Sequence, residues 1–498
     1  MKRSALLFSS IVVLTLFVPS IFVGQALDSS EGSSSGLTGT VAQVAEMNIT
    51  GYDVLVIVNS TIYEGVKASL EQYRRDLEDF GFEDVIFLNW SGNRPESIRE
   101  VLQQFYLNSS LAGTLLVGDL PAVEYEMFTV WDYERFPTDL YYMDLDGNWG
   151  DSDGDGILDM HFGKKIAPDI WVGRIKTSGL GEDEVSLINK YFDKNHRYRI
   201  GSLSAPERAL LYIDDDWENF ASMDSYSLGV LYDNLTVVAD KATTIASDYK
   251  NRLGEGYEWV HLRSHGTWLR HSFELPSGDG GVISSTEYAD IDPNALFYQL
   301  FVCHAARFTE PNYLAGEVVF KTSKGLASIG STKLGGMQMF WTFYEALARG
   351  RTLGDAFKEW FVRWGEGKVT ILDSYVGRKW FYGLTIIGDP TLRLRWLGEE
   401  EIAELQKREE QVINDLPYVQ ELMRQINASE TSYSSLNSEY NNLRGSYSTL
   451  QETLTGVIIQ LTDIRNLLYF FFLATIALLI SNAYYANRKP KSETSGYG

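Results

Sequence analysis

The sequence predicts an α/β fold whose strands form parallel-rich sheets in two halves of the chain. From Tyr52 onward, apolar runs of strand length alternate with stretches of helical periodicity. The apolar runs are continuous, which is typical of strands buried on both faces of a parallel sheet. Two of these runs stop abruptly at a reactive side chain, one at His265 and the other at Cys303. These observations together indicate βαβ units with reactive side chains at the ends of two strands.

The first half is predicted to be an α/β subdomain over residues 48–200, preceded by a flexible linker over 27–47 that is rich in Ser and Gly. Its predicted strands are Val54–Asn59, Val85–Trp90, Thr114–Leu120 and Asp169–Ile175. Its predicted helices are Tyr63–Phe80, Pro95–Leu107 and Glu182–Tyr198. Buried strands that alternate with amphipathic helices favour a mostly parallel sheet.

The second half, over residues 201–398, repeats this alternation and begins at a linker-like Gly201–Pro206. Its predicted strands are Ala209–Ile213, Leu235–Ala239, Glu258–Ser264, Leu296–Cys303, Leu326–Ser331 and Leu384–Ile387. Its predicted helices are Asn219–Tyr232, Thr243–Leu253, Tyr313–Lys321, Met339–Arg349 and Thr352–Trp364. Both reactive strand ends lie in this half, so it is predicted to be the catalytic subdomain.

His265 and Cys303 are the candidate catalytic pair. In open α/β sheets, ligands bind just beyond the carboxyl ends of the strands, so neighbouring strands that end here would bring an imidazole and a thiol together. A cysteine nucleophile needs such a pairing, because the imidazole favours thiolate formation and moves protons. Cys303 is the only cysteine of the chain, so no intramolecular disulfide involves it. The alternatives are a buried apolar cysteine and a structural histidine.

Gly266 follows His265 directly and carries no side chain that would keep its backbone N–H away from a substrate carbonyl. That N–H and the amide of Cys303 are predicted to form an oxyanion hole. If the site is active, alkylation of Cys303 is expected well below the free-thiol pKa of about 8.5.

The two ends of the chain predict a single-pass membrane protein. Lys2-Arg3, an apolar run and a small-residue exit predict a signal peptide over 1–26, with an uncleaved anchor as the alternative. A charge-free segment over 467–486 is close to the ~20 residues of a membrane-spanning helix. The basic residues in the tail, 487–498, place it in the cytoplasm and the catalytic part outside the cell membrane.

A coiled-coil stalk is predicted over residues 399–466. Apolar residues spaced alternately by four and three run from Leu436 to Leu468, which is the a/d heptad pattern. The stalk is expected to self-associate into a homo-oligomer and to lift the catalytic part off the membrane. The alternative is an antiparallel helical hairpin within one chain.

Composition excludes one class of partner. The formal net charge is −24, and a protein that binds phosphate backbones needs a basic face, so nucleic acid is not expected as a partner. We also expect no organic cofactor.

An acidic stretch in the first half predicts a structural Ca²⁺ site. Its oxygen-bearing residues alternate with glycines, which suits a cation that takes six to eight oxygen ligands. The predicted ligands are Asp144, Asp146, Asn148, Asp151, Asp153, Asp155 and Asp159. The stretch departs from the EF-hand loop, because position twelve is Phe162 instead of Glu. The alternative is a solvated acidic turn.

A histidine group offers a second kind of chemistry. His261 and His265 alternate along one predicted strand, and with His271 and His304 they give a zinc site in a metal-dependent hydrolase as the alternative. No His-Glu-x-x-His helix is present, and residues four apart on a strand are widely separated, which disfavours zinc.

Several short blocks resemble the gingipain-type cysteine peptidases of the caspase-like clan, over roughly residues 50 to 396. Arg263–Thr267 and Phe301–Cys303 are similar to the family's His-Gly and Cys blocks. Ser328–Thr332, Ile387–Leu392 and Asp169–Arg174 are similar to further strands and to a closing Gly-Asp-Pro turn. The resemblance implies a three-layer αβα caspase-like fold in two halves.

The resemblance also implies a cysteine endopeptidase that acts on protein or peptide substrates. Cys303 would be the nucleophile, His265 the proton donor to the leaving amine, and Gly266 with Cys303 the oxyanion donors. The specificity acid of the family lies after the first strand of the catalytic half, where Asp216 and Asp224 stand, so cleavage after a basic residue is expected. His304–Arg307 are bulkier than the family pattern, which keeps a catalytically inactive surface scaffold open as the alternative.

Overall fold

The computed structural model describes residues 37–39, 54–82, 84–128, 133–163, 166–337, 340–365 and 381–394, together with residues 446, 475–479 and 481. The predicted signal peptide and the C-terminal tail lie outside these residues. So do the linker, the stalk and the membrane span, apart from 37–39, 446, 475–479 and 481. None of the helices within the described residues has the length and apolar composition that a membrane crossing requires.

The described strands are, in chain order, β1 (Leu37–Gly39), β2 (Val54–Asn59), β3 (Val85–Trp90), β4 (Gly113–Val117), β5 (Glu124–Phe128), β6 (Tyr133–Pro137), β7 (Asn148–Gly150), β8 (Met160–Phe162), β9 (Trp171–Ile175), β10 (Ala209–Ile213), β11 (Leu235–Val238), β12 (Tyr257–Arg263), β13 (His265–Thr267), β14 (Arg270–Leu275), β15 (Gly278–Ser284), β16 (Ala295–Phe301), β17 (Ala327–Ser331) and β18 (Leu384–Gly388).

The described α-helices are α1 (Tyr63–Asp79), α2 (Pro95–Asn108), α3 (Leu140–Met143), α4 (Glu184–Arg199), α5 (Ala221–Leu228), α6 (Ala246–Leu253), α7 (Tyr288–Ile291), α8 (Leu314–Phe320), α9 (Trp341–Ala348) and α10 (Leu353–Gly365). Two short 3₁₀ helices, Asp215–Phe220 and Ser285–Glu287, precede α5 and α7. The single helix predicted over Asn219–Tyr232 is therefore a 3₁₀ turn followed by α5, a shorter helix than predicted.

A single eleven-stranded sheet runs through both halves of the described chain, in the order β1-β3-β2-β4-β9-β18-β17-β16-β12-β10-β11. Neighbouring strands are parallel except for β17 and β18, which are antiparallel. The sequence divides these strands into two sets, and β18 joins them, because it pairs with β17 on one edge and with β9 on the other. The predicted boundary near residue 200 thus separates two halves of one sheet.

Helices cover both faces of this sheet, as a three-layer αβα fold requires. Along β2, Leu55 and Ile57 pack on the face that carries α2, α9 and α10. Val54, Val56 and Val58 point to the opposite face and pack with α1, α4 and α8. Because successive strand residues point to opposite faces and both faces are covered, the strand must be apolar throughout. The fold class predicted from the continuous apolar runs is confirmed in its α/β, parallel-rich form.

The Gly-Asp-Pro turn after β18 has a structural role. Asp389 is fully buried and accepts hydrogen bonds from Tyr73 Oη (2.8 Å), Asn195 Nδ2 (2.7 Å) and Arg199 Nη2 (2.7 Å). Gly388 has φ of 115°, and a Cβ there would lie 2.4 Å from the Leu326 carbonyl oxygen. The motif therefore fixes the end of β18 against α1 and α4, and so holds the two halves together.

Three small antiparallel elements were not predicted from the sequence. They are the hairpin β5–β6, the hairpin β7–β8 and the sheet β13–β14–β15. Each consists of short strands with mixed polar and apolar residues, which lack the continuous apolar run of the central strands. Two of them, β5–β6 and β13–β15, lie beside the candidate active site.

Candidate active site

His265 and Cys303 follow two adjacent parallel strands at the same level of the sheet. Arg263, the last residue of β12, is the register partner of Phe301, the last residue of β16. His265 and Cys303 each stand two residues beyond these partners, at the carboxyl edge of the sheet. The arrangement predicted from the strand ends is therefore present in the pairing of β12 with β16.

Gly266 brings the two segments into contact. A Cβ at Gly266 would lie 2.5 Å from Cγ1 of Val302 and 2.4 Å from the Arg270 carbonyl oxygen. Real Cβ atoms do not approach other atoms so closely, so only glycine fits between the β13–β14 hairpin and the residue that precedes Cys303. The close approach is the physical reason for the His-Gly dipeptide.

The imidazole of His265 is oriented by an acid and an aromatic ring. Its Nε2 lies 2.9 Å from Oδ2 of Asp216, and the two side chains are 37% and 61% exposed. The Trp217 ring packs against the imidazole with centroids 4.6 Å apart. Both residues lie in the 3₁₀ turn that follows β10. Since a carboxylate only accepts hydrogen bonds, Nε2 carries the proton in this contact.

The thiol of Cys303 is partly buried, and this sets its protonation state. Burial raises the pKa of the thiol above its ordinary value, while the Gly335 N–H, which lies 3.5 Å from Sγ, acts in the opposite direction. The carboxylate of Glu134 adds to the rise and the ammonium of Lys333 opposes it. The neutral thiol form of Cys303 is therefore favoured. This differs from the sequence expectation of a lowered pKa, because desolvation outweighs the local donors.

Alkylation of Cys303 should consequently show a high pH midpoint. We expect the rate of iodoacetamide modification to rise with pH through a midpoint above about 8.5, the value for a free thiol, because the neutral form is favoured in the folded protein. Intact mass reports this site alone, since the chain has a single cysteine. Urea-unfolded protein provides the reference curve. A folded-state midpoint at or below that of the unfolded chain would contradict the burial argument.

The bulky residues after Cys303 are accommodated by the fold. Ala305 and Ala306 are fully buried against the sheet, with the Ala306 methyl over Gly330. The His304 backbone is left-handed, with φ of 59°, and its imidazole contacts Glu134 from the first half. The departure from the gingipain pattern at His304 is thus matched by a specific partner.

The two acids predicted for the substrate pocket have other partners. Asp216 contacts His265 as described above. Asp224 is fully buried, and its carboxylate receives both Nε and Nη2 of Arg263, the latter at 3.0 Å. A carboxylate held in this way is not accessible to a substrate, so the prediction for Asp224 is corrected. Asp224 lies on α5, which places its side chain against Arg263 at the end of β12. The local sequence does not reveal this contact.

Comparison with known families gives a match over most of the chain. Residues 32–395 match the sequence model of Peptidase family C25. The chain belongs to this family. C25, the gingipain family of the caspase-like clan, consists of cysteine-type endopeptidases that hydrolyse peptide bonds. No curated protein matches the sequence. The resemblance noted in the His-Gly and Cys blocks is therefore confirmed at the level of the family.

The histidines of this C25 peptidase do not form a metal cluster. His261 is buried and its Nδ1 lies 2.9 Å from Tyr344 Oη, and buried His271 contacts Tyr288 Oη at 2.9 Å. Burial lowers the pKa of His271 to about 3. Among the residues that the structure describes, the groups of side chains close enough to share a metal are all carboxylates. The zinc hydrolase alternative is therefore not supported.

Four of the predicted calcium ligands of this C25 peptidase lie in two separate carboxylate groups. One comprises Asp144, Asp146 and Asp169, and the other comprises Glu126, Asp153 and Asp155. Sequence reasoning missed Asp169 and Glu126, because neither lies in the acidic stretch. Asp144 is buried, with Oδ2 2.8 Å from Nε2 of His161, and burial raises its pKa to about 7.

The remaining predicted ligands have other roles. Asp151 accepts the N–H groups of Gly154 and Gly156, both at 2.7 Å, which lowers its pKa. Asp159 accepts the Ser152 N–H at 2.8 Å, and Asn148 lies exposed in β7. The calcium site stays a prediction, with four of its seven predicted ligands in two separate carboxylate groups.

Proposed function

We propose that Cys303 and His265 form the catalytic dyad of this endopeptidase, oriented by Asp216. The observation that carries the proposal is the register of β12 and β16, which leaves a thiol and an acid-bound imidazole at adjacent strand ends. A nucleophile, a base and a group that orients the base are the three parts that covalent catalysis requires.

In the proposed reaction the Cys303 thiol loses its proton to Nδ1 of His265 as Sγ attacks the scissile carbonyl carbon. The tetrahedral oxyanion is stabilised by the N–H groups of Gly266 and Cys303. When the C–N bond breaks, the imidazolium returns the proton to the leaving amine. Water, deprotonated by the same imidazole, then hydrolyses the thioester and restores the thiol.

We further propose that the site prefers a basic residue before the scissile bond. Asp214 and Asp215 follow β10 beside His265, and in each one carboxylate oxygen is buried without a hydrogen-bond partner among the described residues. Burial raises the pKa of Asp214 to about 6, and the charge of His265 acts against that rise, which is consistent with its proximity. Asp214 also accepts the Glu274 N–H at 3.1 Å, but carboxylate oxygens left without a partner favour a cationic side chain in the adjoining pocket.

A peptide library tests this function directly. The full-length chain in detergent micelles is incubated with peptides of varied sequence, and the new termini are identified by mass spectrometry. We expect cleavage after Arg or Lys, and loss of that preference with Asp215→Asn. Absence of any cleavage would favour the inactive surface scaffold, whereas cleavage without a basic preference would reject only the specificity proposal.

We propose from the sequence that the peptidase is displayed on the cell surface on a self-associating stalk. A helix over Leu436–Leu468, at ~1.5 Å per residue, would extend on the order of 50 Å from the membrane. Protease added to intact cells is expected to remove the 27–466 region and to leave the 487–498 tail protected. Digestion of a tail epitope from outside, or release of the full chain by carbonate, would contradict this topology.

We propose that one or both carboxylate groups bind Ca²⁺. Clustered carboxylates repel one another, and a cation that binds only the folded state stabilises it by mass action, by about 2.7 kcal/mol at one hundred times its Kd. Calcium is therefore expected to raise the melting temperature. Asp146→Asn and Glu126→Gln report on the two groups separately, and magnesium serves as the control ion. No shift at millimolar calcium would leave solvated acidic turns.

A further inference from the structure

The hairpin β5–β6 of the first half reaches across to both loops that surround the nucleophile. From β6, the carbonyl oxygen of Arg135 accepts Nη2 of Arg307 at 2.9 Å, and that of Pro137 accepts Oγ1 of Thr332 at 2.6 Å. A third contact is made by the side chain of Glu134, the residue before Arg135 on the same strand. The non-catalytic half therefore contributes directly to the walls of the catalytic site.

Glu134 connects the two loops through a single carboxylate. Its Oε1 lies 2.7 Å from Nε2 of His304 and accepts the Leu334 N–H at 3.0 Å, and its Oε2 lies 3.2 Å from the same N–H. The side chain is only 9% exposed. Charge-assisted hydrogen bonds in such partly desolvated surroundings are about twice as strong as neutral ones. Glu134 thus fixes the residue after Cys303 relative to the loop after β17.

The backbone geometry at His304 shows why its imidazole must be held by Glu134. A histidine with φ of 59° is in the left-handed region, which is sterically unfavourable for a residue with a Cβ. The His304 N–H donates to the Lys333 carbonyl oxygen at 2.9 Å, and its imidazole is held by Glu134. This turn at His304 determines where the preceding residue, Cys303, directs its sulfur.

The loop after β17 contacts the sulfur of Cys303 through Gly335, the residue that follows Leu334. Leu334 donates its N–H to Glu134, and the following residue, Gly335, directs its N–H to Sγ of Cys303 at 3.5 Å. Gly336 fits only as glycine, because a Cβ there would lie 2.8 Å from Cα of Phe301. Because Leu334 and Gly335 are consecutive residues, the contact of Leu334 with the Glu134 carboxylate also positions the Gly335 donor.

We propose that Glu134 is a positioning residue for the nucleophile, which acts by holding the His304 turn and the Leu334–Gly335 loop around Cys303. This rests on the proposed function of Cys303. Glu134 does not contact the reacting atoms. Its carboxylate provides an acceptor shared by two loops, which are also joined by the His304 N–H to the Lys333 carbonyl oxygen and by the Gly335 N–H to Sγ of Cys303. Glu134, on the hairpin of the first half, is on this basis a required part of the active site.

Kinetics of matched variants test the proposal. Glu134→Ala removes the acceptor and should lower kcat by about 100-fold with little change in KM, since a displacement of about 1 Å at a reacting group has that effect. Glu134→Gln keeps an oxygen at the Oε1 position, where one atom serves both His304 and Leu334, so it should recover most of kcat. Glu124→Ala, which removes an ion pair of the same hairpin with Arg135, is the control and should behave as the parent.

A second pair of variants tests the turn itself. His304→Gly and His304→Ala both remove the imidazole, but glycine adopts positive φ without cost, so the glycine variant should retain the higher kcat. Melting temperatures and the rate of Cys303 alkylation are measured on every variant, so that loss of fold is separated from loss of positioning.

The outcomes separate this proposal from the function on which it depends. A Glu134→Ala enzyme that stays folded and keeps the parent kcat would overturn the positioning role while leaving Cys303 as the nucleophile. Equal losses in Glu134→Gln and Glu134→Ala would also overturn it, because the shared acceptor would then not be the cause. Activity that survives Cys303→Ala would instead reject the proposed function itself.

Discussion

Replacement of Cys303 by Ala is expected to abolish peptide hydrolysis, and replacement of His265 by Ala is expected to lower kcat by at least about 10³-fold. Without the thiol no thioester forms, and without the imidazole a thiol whose pKa is raised has no base to ionise it. Because the two residues act as one unit, the double variant should be little slower than Cys303→Ala alone.

Stability measurements accompany this comparison. Cys303 is only partly buried, so the loss of its sulfur should leave the urea midpoint close to that of the parent. Asp216→Asn is the graded variant: its side-chain oxygen still accepts from His265 Nε2, so kcat should fall less than with His265→Ala. Hydrolysis by Cys303→Ala at the parental rate would show that another residue is the nucleophile.

The second large effect concerns stability. Asp224→Ala is expected to destabilise the fold by about 3–5 kcal/mol, because it leaves the buried guanidinium of Arg263 without its carboxylate. That guanidinium is enclosed by the rings of Phe220, Phe301 and Phe340, at 4.8, 4.4 and 5.4 Å, so water cannot replace the lost partner. Urea unfolding monitored by tryptophan fluorescence measures the change.

Asp224→Asn is the matched control and should lose less stability, since its amide oxygen still accepts from Arg263. The outcome also decides between two roles for this acid. If Asp224 contacted the substrate, Asp224→Ala would change the residue preferred before the scissile bond and leave the urea midpoint unaltered. An unchanged midpoint would therefore contradict the buried ion pair.

The location of the pair explains why it matters to the site. Arg263 and Phe301 are register partners, and each precedes a member of the proposed dyad by two residues. Arg263 stacks on Phe301 and is neutralised by Asp224, so the ion pair supports the sheet edge from which His265 and Cys303 extend. Loss of Asp224 should therefore reduce activity through the fold.

Much of the fold and the core of the site could be predicted from local sequence pattern. Strands β2 and β10 were predicted to the residue, since a strand buried on both faces must be apolar throughout and must end where the chain turns to solvent. The same rule brought His265 and Cys303 together. These are consequences of short-range chemistry, which the linear order of residues contains.

The tertiary structure alone decided how the two halves join and what surrounds the dyad. Leu384–Gly388 is an apolar run that fits any central position, and only packing inserts it between β9 and β17. Glu134 and His304 are 170 positions apart, and Asp224 is 39 positions from Arg263. No periodicity or local spacing encodes such contacts, because they depend on the path of the whole chain. The sequence thus determined which groups could react, and the folded structure determined which partners hold them in place.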